Sequence, residues 1–133
     1  MIADKPATVT LATGCDTTYS NVMRPDDALR KVRAACLALD DVTERLSHGQ
    51  PAWFVGKKQF AVLTNNHHGD GMLALTVGAP PGMQRMLVDS DPEIYKVPPY
   101  VGSKGWVLIR LDRDLPWKQV RALIEAACSA NRR

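Results

Sequence analysis

Cysteine is scarce in this 133-residue chain: only Cys15, Cys36 and Cys128 occur, with no Cys-x-x-Cys pair and an odd one left over. That is poor material for a disulfide framework and points to a reducing, cytoplasmic setting. Cys36 and Cys128 stand beside alanines in helix-like segments, where a free cysteine acts as a small buried hydrophobe. Charge of one sign is scarce too, since 17 Lys and Arg stand against 14 Asp and Glu for a formal net charge of +3. Such a balance permits contact with a polyanion without demanding it. The N-terminal stretch lacks a basic start followed by an apolar run, so neither a secretory signal nor a membrane anchor is expected. P-loop, dinucleotide fingerprint and nucleophile elbow are all missing, so no catalytic residue and no cofactor is assigned.

What is present fits one domain. The length allows a single core but not two, and 45% hydrophobic with 23% charged residues is ordinary for a globular chain. Residues 1–24, rich in threonine and small side chains and without lasting periodicity, are expected to form a flexible tail ahead of a domain at 25–133. Met23, directly before the organised sequence, marks a candidate functional start.

From Pro25 a helix is expected, with Asp26 and Asp27 suited to its first turn and Leu29, Val32, Cys36 and Leu39 on one face. It should end near Asp40 and Asp41. Two strand-like runs, 52–55 and 59–64, flank Gly56-Lys57-Lys58, which reads as a three-residue bulged hairpin turn. A third strand, 72–77, follows the turn Asn65-Asn66-His67-His68-Gly69-Asp70-Gly71. His67, His68 and Asp70 lack metal-ligand spacing, so a solvated turn is expected there and no metal. Pro80-Pro81-Gly82 opens a short helix with Met83, Met86 and Leu87 on its covered face, closed by Asp91-Pro92. Strands at 94–97 and 106–111 come next. A last helix begins around Asp114, with Trp117, Val120, Ile124 and Ala127 inward and Lys118, Arg121 and Glu125 mostly outside. The order is α-β3-α-β2-α, an α+β domain whose antiparallel sheet of about five strands carries its helices on one face.

Four segments occur in a distinctive sequence: His48-Gly49-Gln50-Pro51 through Phe60, then Pro81-Gly82-Met83-Gln84, Asp91-Pro92-Glu93, and Pro98-Pro99-Tyr100-Val101-Gly102-Ser103-Lys104-Gly105-Trp106-Val107. Together, from about Asp26 to the C-terminus, they resemble the MmcQ/YjbR family of small bacterial proteins. The resemblance implies a YjbR-like fold, related in architecture to secretion-chaperone-like domains. It also implies DNA binding through two loop-and-strand projections, a role assigned to the family from shape. One projection would be the hairpin around Gly56, Lys57 and Lys58; the other would be the loop from Tyr100 to Gly105 carrying Lys104.

Lysine pairs at a hairpin tip can neutralise phosphates, and Tyr100, Trp53 or Trp106 can stack on bases if exposed. No Asn, Gln or Arg cluster stands ready to read base edges, so weak, salt-dependent, unspecific binding is expected of Lys57, Lys58, Tyr100 and Lys104. Tryptophans on strands are nevertheless more often core than platform. Two other readings stay open. Apolar Val62 alternating with Ala61 and Leu63 would suit a protein partner or self-association on the open sheet face. A cleft near His48, Trp53 and Trp106, with Tyr100, Lys104 and Asp112, would suit a small-molecule binder or an enzyme, the reading with least behind it.

Overall fold

The computed structural model describes residues 23–66 and 71–132. Residues 1–22 of the tail expected at 1–24, and His67-His68-Gly69-Asp70 of the expected turn, lie outside them. Met23 is already fixed, since its N–H donates to the Leu111 carbonyl at 3.1 Å and its side chain packs against the core.

Helix α1, Pro25–Leu37, opens on proline and two first-turn aspartates that match the positive end of its dipole. Ala28, Val32 and Cys36, four apart, are its buried stripe. It ends three residues before Asp40. The reason is tertiary: Asp41 turns left-handed, φ 64, and its carbonyl accepts the Gly56 N–H at 3.0 Å, which directs the chain into the sheet at once.

Six antiparallel strands follow, rather than about five: β1 Val42–Ser47, β2 Gln50–Val55, β3 Lys58–Asn65, β4 Leu73–Val77, β5 Tyr95–Lys96 and β6 Val107–Arg110. Their spatial order is β1-β2-β3-β4-β6-β5. The added strand is β1, joined to β2 by His48-Gly49, both with positive φ as a type I′ turn requires. The next turn holds two residues and not three, because Lys58 pairs with Val55 and belongs to β3. Only Gly56 has positive φ there, the mark of a type II′ turn. One extra β3 residue between the pairs Trp53–Ala61 and Phe54–Gln59 makes a bulge at Phe60, and both Phe60 and Ala61 are fully buried. β5 covers two of the four residues expected as strand, cut short by Pro98 and Pro99, which have no N–H to pair.

Helix α2, Met83–Ser90, buries Leu87, but Met86 is 60% exposed rather than covered. Helix α3, Trp117–Asn131, starts after Pro116 rather than at Asp114; Pro116 is extended and its carbonyl accepts from Gln119 and Val120. Its buried face is Val120, Leu123, Ile124, Ala127 and Cys128. α1 and α3 lie on the sheet face that presents Trp53, Val55, Ala61, Leu63, Leu75, Val77, Val107 and Ile109. Each fully buried large side chain there contributes roughly 1.5–3 kcal/mol. The opposite face alternates small, polar and apolar groups: Ala52, Val62, Thr76 and Leu108 in one row, Phe54 under the Arg45 guanidinium at 4.0 Å in another. No helix among the described residues is long and apolar enough to cross a membrane.

Glu44 is the one acid on the helix-covered side of β1. Arg33 of α1 grips it through two bonds of 2.8 Å, and the buried Trp53 indole N–H donates to it at 3.0 Å. The Arg33 hydrogen bond holds the Glu44 carboxyl below the usual range, with the indole adding to the effect. A depressed carboxylate contributes stability above its unfolded pKa of about 4.3 and loses it as pH falls through the folded value. Because Arg33 is 45% exposed, the contribution is about 0.5–1 kcal/mol after screening. Glu44→Gln should therefore be less stable than the parent at neutral pH, and the difference should shrink in urea titrations as pH falls below the unfolded carboxylate value and vanish once Glu44 is protonated in the folded protein. A difference constant across that range would rule the linkage out.

Candidate functional site

Three segments meet at one concavity of about 890 Å³: the β1–β2 turn with Ser47 and His48, the start of β3 with Lys58 and Gln59, and the loop Val101 to Trp106. Gly78, Ala79 and Pro81 beyond β4, with Ala130 and Asn131 at the end of α3, complete it. No carboxylate of the described residues lines this groove. Lys58 also borders a second hollow of about 480 Å³ beside Lys57, Arg132 and Asp41. Lys57, Lys58 and Lys104 are exposed, and their ammonium groups have no ion pair, hydrogen bond or ring partner among the described residues. Arg33 and Arg110, by contrast, are tied to Glu44 and Asp112.

The loop that carries Lys104 is built rigidly. Gln84 of α2 donates to the Gly102 carbonyl at 2.8 Å and the Trp106 carbonyl at 2.6 Å, closing the short 3₁₀ turn Gly102–Lys104 from below. Gly102 sits so close to Val97 that a Cβ would stand 2.5 Å from its Cγ1. Tyr100 has φ 67 and is spanned by a Val101 N–H to Pro99 carbonyl bond of 2.7 Å, a strained γ-turn that leaves its phenol ring 91% exposed. Trp106 is half-buried, its indole edge over Gly78, where a Cβ would meet Cε2 at 3.1 Å. Asn131, 8% exposed, donates both amide hydrogens, to Gly78 at 2.9 Å and to Ala127 at 2.8 Å.

The fold thus brings His48, Lys58, Lys104 and Trp106 together, with Lys57 at the adjoining turn. It does not bring Trp53, which is completely buried and bound to Glu44; the stacking and cleft expectation for it is corrected, because α1 covers its face of β2. Tyr100 is on the same loop but outside the groove lining. Asp112 is held by Arg110 through bonds of 2.9 Å, which keep its carboxyl below the usual range. Sequence reading missed Gln84, Gly78 and Asn131. Gln84 lay within a motif already singled out, but nothing local says that its amide reaches residues 18 and 22 further on.

Chemically the groove offers the Lys58 and Lys104 cations, the Ser47 and Ser103 hydroxyls, the His48 imidazole and the Trp106 indole, with no cysteine among its lining residues. Burial pushes the Cys36 thiol up to about 12 and raises that of Cys128, so neither is a thiolate near neutral pH. No group of three or more metal-ligating side chains gathers among the described residues.

The YjbR family model matches residues 37–128. The chain belongs to the YjbR family. The fold is similar to that of Deinococcus radiodurans protein DR2400, which contains the family-model domain DUF419. That likeness has a TM-score of 0.64 at 19% identity, over 81% of this chain and 78% of that chain. At that identity it speaks for the fold alone. No curated protein matches the chain. In this YjbR domain the match begins at the last residue of α1 and ends three residues before Asn131, the end of α3, so the sheet, α2 and the lysine-bearing loop all fall inside it.

Proposed function

We propose that this YjbR domain is a non-catalytic binding protein for DNA, with low sequence specificity. The observation that carries the reading is the meeting of Lys58 and Lys104, 46 residues apart in the chain, around one groove that no carboxylate of the described residues lines, with Lys57 beside them. Three cations without protein partners keep their full charge for phosphates, and release of counterions then supplies the affinity. No arginine stands among the groove's lining residues and Gln59 is a single amide rather than a cluster of base readers, so phosphate contacts dominate over sequence readout. A protein-docking role for the open sheet face has less support, since arginines, threonines and glutamines interrupt its apolar positions and its largest apolar ring, Phe54, lies under Arg45.

Anisotropy of a labelled DNA, followed from about 50 to 200 mM salt, tests the reading. Three phosphate contacts give a log–log slope of roughly −2 to −3. The double substitution Lys57→Ala with Lys58→Ala should flatten that slope by about 2 and weaken binding at low salt. Absence of binding at low salt, or an unchanged slope in the variant, would sink the proposal.

A further inference from the structure

We infer that the groove takes an unpaired nucleotide of a single strand, and that Trp106 is its base platform; this rests on the DNA-binding reading above. A duplex is met by projecting cations or by an element that enters its groove, whereas Lys58 and Lys104 line a concavity of about 890 Å³, of the size that encloses a small ligand. Lys57, at the adjoining hairpin turn, lies outside this lining.

The lining matches a heterocycle bearing a phosphate. Trp106 is half-buried and fixed, with its edge on Gly78 and its carbonyl held by Gln84, so stacking on it costs little ordering entropy. Its indole N–H has no acceptor among the described residues. Asn131 is complementary. Both its amide hydrogens are committed to the Gly78 and Ala127 carbonyls, while its side-chain oxygen accepts no bond from any described residue despite being 8% exposed. A buried acceptor left unmade is costly unless something supplies the donor. Bases carry both ring N–H or exocyclic amine donors and carbonyl or ring-nitrogen acceptors on one edge. Lys58 and Lys104 then neutralise the flanking phosphates, and every base has a face to stack, which agrees with low specificity.

The test uses the full chain with labelled oligothymidylate, a duplex of equal length, and thymidine monophosphate as competitor. The single strand should bind at least about tenfold tighter than the duplex at low salt. Trp106→Leu should lower single-strand affinity roughly 5- to 150-fold with the salt slope unchanged, whereas Lys104→Ala should reduce the slope by about 1. A second measurement on the unaltered protein guards against misfolding of the variant: the Trp106 indole N–H resonance should move on adding the strand, and that of buried Trp53 should not. Duplex binding as tight as single-strand binding, or a static Trp106 resonance under saturation, overturns this inference while leaving the DNA reading standing. Monophosphate binding as strong as that of the strand overturns it in favour of a free nucleotide. No binding of any probe removes both readings.

Discussion

Trp53→Ala should cost about 3–5 kcal/mol, the largest stability loss expected of any single truncation in this domain. Trp53 is the largest of the fully buried side chains and stands opposite Ala61 on β3, on the sheet face packed against α1 and α3. Removing the indole opens a cavity that neighbouring rigid β-strands cannot close. It also takes away the N–H that Glu44 accepts, leaving that carboxylate with Arg33 alone. Against a typical domain stability of 5–15 kcal/mol, such a loss brings the protein near its unfolding threshold. Trp53→Phe largely separates the two contributions, since it retains most of the apolar volume while removing the donor. Its cost should be roughly 1–2 kcal/mol in urea unfolding. A Trp53→Ala loss below about 1 kcal/mol would place the indole outside the core.

Gly78→Ala should lower stability by about 1–2 kcal/mol and the melting temperature by roughly 4–8 °C. Two effects compete. Gly78 is not in the left-handed region, so alanine would restrict the unfolded chain and contribute about 0.4–1 kcal/mol of stability. The new Cβ, however, would stand 2.9 Å from Asn131 Nδ2 and 3.1 and 3.2 Å from two Trp106 ring atoms. Asn131 cannot retreat without breaking its bonds to Gly78 and Ala127, and the Trp106 backbone is pinned by Gln84. Overpacking of about 1–3 kcal/mol therefore wins. The ring should tilt into the groove, so single-strand affinity should fall along with the melting temperature. An equal or higher melting temperature would show that the contact is slack.

Some of this architecture was legible in the residues. Helix α1 announces itself through Pro25, Asp26, Asp27 and the spacing of Val32 and Cys36. The runs within β3, β4 and β6 are apolar enough to read as strands. β1 was not legible, because its covered side carries Glu44 between Val42 and Leu46, and its middle reads as charge rather than alternation. Only the partners Arg33 and Trp53, 11 and 9 residues away, make a carboxylate tolerable there. The available signal was the turn His48-Gly49, which fits a two-residue hairpin and so requires a strand before it.

The candidate groove divides in the same way. Lys57, Lys58, Lys104 and Trp106 were recognisable from turn chemistry and motif, and the α+β class followed from periodicity, because these depend on near neighbours in the chain. Which tryptophan would be swallowed and which would line the groove was a tertiary decision. Both Trp53 and Trp106 stand beside glycine-rich turns and strands, but α1 and α3 cover the face that holds Trp53, while Gly78 and Gln84 hold Trp106 at the rim. Burial is set by what packs from elsewhere in the chain. Residues 48, 58, 104 and 131 become neighbours only when the sheet and α3 bring them to one concavity.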